Sequence, residues 1–93
     1  MSAEYLLGVD GGTNSLRVGV FTLDGKPVAI REHEYETHFP RPGWAEQHPD
    51  DWWEAMKIAT PAALKAAGIG PEQVAGLCVD ATSCTVEIGR AHV

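Results

Sequence analysis

Apolar and polar positions change their period along this chain of 93 residues, and the changes mark its elements. Tyr5, Leu6, Leu7 and Val9 form a short apolar run that predicts a buried strand. Leu16, Val18, Val20 and Thr22 then alternate with Arg17, Gly19, Phe21 and Leu23, the period of a second strand. Asp24-Gly25-Lys26-Pro27 has turn chemistry and leads into a third strand over Val28 to Tyr35. Its later residues become polar and acidic, as suits a half-exposed edge. Positions 37–48 are broken by Pro40, Pro42 and Gly43, with Pro49 next, and predict a loop.

The period then lengthens. Trp52, Met56, Ala59, Ala63 and Ala66 recur at helical steps, so one apolar helix face is expected. Asp50 or Asp51 is placed to cap it, with Asp51 and Glu54 at capping-box spacing. Pro61 should kink or split the helix, and Gly68 and Gly70 should end it. The run Val74-Ala75-Gly76-Leu77-Cys78-Val79 reads as a buried strand that delivers Asp80 at its C-terminal end. The whole is an α/β pattern: three antiparallel strands, a helix and a further strand.

The first connection carries the candidate chemistry. Gly8-Val9-Asp10-Gly11-Gly12-Thr13-Asn14-Ser15-Leu16-Arg17 joins strand to strand, with no helix leaving its glycines. A dinucleotide fingerprint or a P-loop needs such a helix, so both are excluded. Gly11 and Gly12 allow positive φ and a close approach of backbone to an anion, while Thr13, Asn14 and Ser15 add short donors. Asp10 suits Mg²⁺, which takes one or two carboxylates together with substrate phosphates. Arg17 follows two residues after Ser15. Spacing alone leaves two readings open, a phosphate-binding concavity and an ordinary hairpin tip.

Asp10-Gly11-Gly12-Thr13-Asn14-Ser15-Leu16-Arg17 resembles the Asp-x-Gly-Thr-x-Ser-x-Arg phosphate motif of the FGGY family of carbohydrate kinases. Pro42-Gly43-Trp44-Ala45-Glu46-Gln47-His48-Pro49-Asp50-Asp51-Trp52-Trp53 is similar to that family's Gly-Trp-x-Glu-Gln-x-Pro-x-x-Trp segment. Val79-Asp80-Ala81-Thr82-Ser83-Cys84-Thr85 is similar to a strand end in its ribulokinase-like branch. The resemblance runs from about Leu6 to Val86, with the three motifs in order.

It implies part of an actin-like, ribonuclease H-like ATPase domain and a parent protein that phosphorylates a sugar hydroxyl with ATP and Mg²⁺. Asp10 would position the metal, and Gly11, Gly12, Thr13, Asn14, Ser15 and Arg17 would hold the phosphates. On the sugar side, Ser83 would contact a ketopentose such as ribulose, with xylulose the alternative and Thr82 beside it. Trp44 and Gln47 have two readings: sugar contacts, or residues that only pin the loop. Trp52 and Trp53 are expected to be structural, and Asp80 to be structural or to support the site's contact residues from behind, because the resemblance places the catalytic base further on. No catalytic residue is expected within these residues.

Length bounds the expectation, since 93 residues make at most one small domain with a marginal core. Family members carry two actin-like domains with ATP in the cleft between them. Residues 1–86 are therefore expected to be a truncated N-terminal part of the first domain, inactive alone or a non-catalytic actin-like module. Glu87-Ile88-Gly89-Arg90-Ala91-His92-Val93 can be encoded by a common sequencing-library adapter read in frame, so 87–93 are expected to be a non-native tail.

Composition narrows the partners. The net charge is −6 with no basic cluster, which argues against nucleic acid. No apolar run nears the roughly 20 residues of a membrane span, and no signal pattern opens the chain. Cys78 and Cys84 have neither zinc nor redox spacing, and reduced thiols in the cytoplasm are the expectation, Cys78 as a buried hydrophobe.

Overall fold

The structure, a computed structural model, describes residues 4–82. The expectations for Ser83, Cys84 and Thr85 and for the 87–93 tail lie outside them. Strands β1 (Tyr5–Gly11), β2 (Ser15–Thr22) and β3 (Pro27–Glu34) form an antiparallel meander. Helix α1 (Pro49–Ala67) and a short 3₁₀ turn (Pro71–Gln73) then lead to β4 (Val74–Ala81), which pairs parallel to β1. The sheet order is β3-β2-β1-β4.

Alternation divides the sheet into two faces. Leu7, Val9, Leu16, Val18 and Val20 point to the helix and are buried with Ala55, Ala59 and Ala63. The three alanines are at most 1% exposed, and their small side chains let α1 lie close on β2 and β3. The helix stripe thus differs from the expected one: Ala55 belongs to it, Ala66 is exposed, and Trp53 is 64% exposed rather than packed.

The helix starts one step earlier than its acidic residues suggest. His48 is the N-cap and makes no side-chain cap bond. Pro49 takes the first helical position, where its missing N–H costs nothing, and this moves Asp50 and Asp51 into the first turn. There they complement the helix dipole instead of capping. Pro61 does not split the helix, which continues unbroken to Ala67. Pro61 and Lys57, whose carbonyl loses its partner, are both exposed, so water can serve that carbonyl. Gly68 ends the helix at φ 73° and donates its amide to the carbonyl of Lys65.

The expectation of a buried β4 is not met. Leu77 and Val79 are 58% and 57% exposed, and Cys78 is exposed with a free thiol. Their hydrophobicity was read correctly, but burial depends on a covering layer. Among the described residues α1 covers β2 and β3, and β4 is an edge. The 37–48 loop contains one isolated bridge, His38 to Glu46, closed by a pair of backbone hydrogen bonds.

Candidate functional site

The turn between β1 and β2 spans Gly12 to Ser15, and its backbone polar groups can be followed one by one. The amide of Gly12 donates to the carbonyl of Ser15 at 2.9 Å, closing the hairpin. The Tyr35 hydroxyl donates to the carbonyls of Gly12 and Ser15, the latter at 3.0 Å. The Gln47 carboxamide nitrogen donates to the carbonyl of Thr13. The Tyr35 amide donates to the carbonyl of Asn14 at 3.0 Å. All carbonyls of the turn are therefore taken up by the protein.

A peptide plane carries its N–H and C=O in opposite directions. Holding the Gly12 and Thr13 carbonyls toward the protein therefore turns the N–H groups of Thr13 and Asn14 away from it. Among the described residues neither amide has an acceptor. Two adjacent unpaired donors on one exposed turn form a concavity suited to an anion. The glycines serve this differently from expectation, because positive φ among the described residues occurs at Gly25, Gly43 and Gly68, not at Gly11 or Gly12. Gly12 is needed for space: a Cβ there would lie 3.2 Å from the Ser15 carbonyl oxygen.

Strand register places a row of charges across the open face of the sheet. Glu32 opposes Arg17, Arg17 opposes Asp10, and Asp10 opposes Asp80 on the parallel strand. Arg17 meets Glu32 at 3.4 Å, and the Ser15 hydroxyl also donates to Glu32, at 3.1 Å. Asp10 is the neighbour that perturbs Asp80, foremost as a hydrogen-bond partner of its carboxyl. That bond, then desolvation and the Asp10 charge, raises its carboxyl above the ordinary carboxylate value. Sequence reasoning set Asp80 aside; the signal that pairs it with Asp10 is the parallel register of two strands that both end in Asp. The Tyr35 phenol is likewise pushed up, first by burial and then by Asp10.

The other named residues fall in two groups. Gly11, Gly12, Gln47 and Thr82 line a cavity of about 320 Å³ on the helix side, together with Tyr35 and Trp52. Thr82 donates both its amide and its hydroxyl to the carbonyl of Gly11, at 3.0 and 3.1 Å. Asp10 and Arg17 open instead onto the opposite face, and Asp80 borders both spaces. Trp44 is half exposed, with the Arg41 guanidinium 4.9 Å over its ring. The Trp52 indole donates to the Gln47 carbonyl oxygen at 3.2 Å.

Residues 5–87 match the N-terminal domain of the FGGY family of carbohydrate kinases. The chain belongs to that family. It is 40% identical over 75 residues to the glycerol kinase of Lactobacillus delbrueckii subsp. bulgaricus, covering 81% of this chain and 15% of that protein. It is 42% identical over 74 residues to the glycerol kinase of Thermus brockianus, again 15% of that protein. Among solved structures, the xylulose kinase of Rhodospirillum rubrum superposes with a TM-score of 0.72 at 28% identity, over 82% of this chain and 16% of that one. The gluconate kinase of Lactobacillus acidophilus gives 0.77 at 22% identity over 86% of this chain and 16% of that one, a likeness of fold. The actin-like ATPase fold expected from the motifs is thus the fold of this FGGY domain. The chain spans about 15% of the length of the curated relatives it matches. Relatives and structural neighbours include glycerol, xylulose and gluconate kinases, so the family is established without its ribulokinase-like branch. Among the described residues no helix is long and apolar enough to cross a membrane.

Proposed function

We propose that this chain is the N-terminal part of an ATP-dependent kinase that phosphorylates a hydroxyl of a small sugar, a ketopentose such as ribulose. One observation carries the reading: the unpaired Thr13 and Asn14 amides lie on the turn that leaves β1, the strand whose Asp10 opposes Asp80. The donors fit phosphate oxygens. Two carboxyls at opposed strand positions, each disfavouring the other's negative charge, fit a divalent cation that would take up that charge.

In this reading the backbone of Gly11 to Ser15 and the Thr13 hydroxyl hold the phosphates, and Arg17 moderates the negative charge around them. Asp10 holds Mg²⁺, which when bound neutralises charge on the transferring phosphoryl group. Phosphoryl transfer depends chiefly on positioning and electrostatics, so a fixed backbone cradle is a large part of the catalyst. Ser83 and Thr82 are the sugar contacts in this reading, and Trp44 offers the sugar an apolar ring. The Gln47 bonds to Thr13 and Trp52 support the loop-pinning reading of that residue. A cytoplasmic setting accords with ATP as substrate and with the free, exposed thiol of Cys78.

Ribulose rests on residues 79–85, and xylulose is favoured by the likeness to the R. rubrum enzyme. Glycerol is favoured by relatives of that name at about 40% identity. Assaying the product of the complete reading frame with Mg·ATP and each of ribulose, xylulose and glycerol tests the proposal. Expected are phosphorylation of ribulose above the other two, loss of at least a hundredfold in Asp10→Ala, and no turnover by the 93-residue chain alone. Preference for xylulose or glycerol would reassign the substrate, and transfer to none would remove the kinase reading.

A further inference from the structure

Two side chains remote in sequence from the turn decide which way its amides face. We propose that Tyr35 and Gln47 are the positioning residues of the anion turn, Tyr35 fixing the Gly12–Thr13 peptide plane and Gln47 the Thr13–Asn14 plane. The assignment rests on reading the turn as a phosphate seat and adds the means by which it is held.

Each plane has one carbonyl, and each carbonyl has one side-chain donor. The Tyr35 hydroxyl donates to the carbonyl of Gly12 and the Gln47 nitrogen to that of Thr13. Releasing either leaves its plane free to rotate, and the following amide moves with it. Neither donor is free to choose another orientation. The Tyr35 ring is held by its own amide on the Asn14 carbonyl, and its hydroxyl is shared with the Ser15 carbonyl. Gln47 is oriented at both ends of its carboxamide. Its oxygen accepts from the Trp52 indole, a donor only, so its nitrogen must face Thr13 and the Thr37 hydroxyl, which lies at 3.0 Å. The Tyr35 phenol is a donor at neutral pH, as any tyrosine is, and burial raises its pKa further.

This wiring joins three segments. The end of β3, the 37–48 loop and the first turn of α1 all meet at the turn through two side chains. A residue bound against the loop would act on the phosphate seat through Gln47, and the seat would act back on the loop by the same contact.

The test uses the ¹⁵N-labelled chain and two near-isosteric variants. Tyr35→Phe removes only the hydroxyl, and Gln47→Glu keeps the acceptor for Trp52 while removing the donor to Thr13. Residual dipolar couplings without ligand report N–H orientation directly. The expected result is a changed coupling at Thr13 in Tyr35→Phe and at Asn14 in Gln47→Glu, with β1–β3 amides unchanged. Acidifying Gln47→Glu until its new carboxyl is protonated restores a donor and should return the Asn14 coupling. Unchanged turn couplings in both variants would overturn the assignment. Titration with inorganic pyrophosphate then separates the two claims. Each variant should bind about five- to tenfold more weakly than wild type, the effect of one misdirected hydrogen bond. A wild-type chain with outward-facing amides and no pyrophosphate binding would remove the phosphate reading while the couplings still decide the positioning roles.

Discussion

Asp80 and Asp10 stand opposite one another on parallel strands, on a face that no described element covers. Their shared hydrogen bond is the first cause of the raised Asp80 value. A raised folded-state value means the folded chain holds the proton more tightly than the unfolded one. The stability from this contact is complete below the ordinary carboxylate range and is lost as pH rises through the raised value. Asp10→Ala should therefore return Asp80 toward its ordinary value and flatten that part of the stability profile. Carboxyl ¹³C titration of both chains checks this, and an unmoved Asp80 would contradict it. At this scale the sequence was partly legible. The Asp-Gly-Gly-Thr turn and its short donors could be read directly, because turn chemistry is local. The dependence on Tyr35 could not, since it bonds residues 20 or more positions away in the chain. Counting register from the hairpin would have found it, because the residue after Glu34 must meet Asn14 once Ser15 opposes Glu34.

The elements were legible wherever one period determines them. A short apolar run located β1, alternation located β2 and β3, and helical spacing located α1, because each pattern reflects a face already covered within the chain. Two features depended on competition between neighbours. Pro49 displaced the expected Asp cap, and Asp51 instead lies 3.7 Å from the His38 ring. Gly68 followed the simple rule. It sits at φ 73° with nothing within 4 Å of a Cβ, so an added methyl meets strain but no clash. Gly68→Ala should destabilise the chain by about 1 kcal/mol, the cost of a left-handed conformation for an L-residue. Urea unfolding measures this; an unchanged midpoint would mean that the helix end has no such constraint.

For the molecule as a whole, the parallel strand after α1 brings two acidic strand ends together beside the hairpin turn. The family was legible in three ordered motifs, whereas the exposure of β4 was not, because hydrophobic sequence does not say which layer will lie over it. The covered face of the sheet stabilises the turn from below through Leu16 and Val9, and its rim presents the unpaired amides. The most direct measurement is a titration of the ¹⁵N-labelled chain with Mg·ATP, following every amide. The largest shifts are expected on Thr13 and Asn14, with smaller ones along Asp10 to Gly12. Saturating Mg·ATP that moves none of these amides, or moves a different surface, would contradict that expectation.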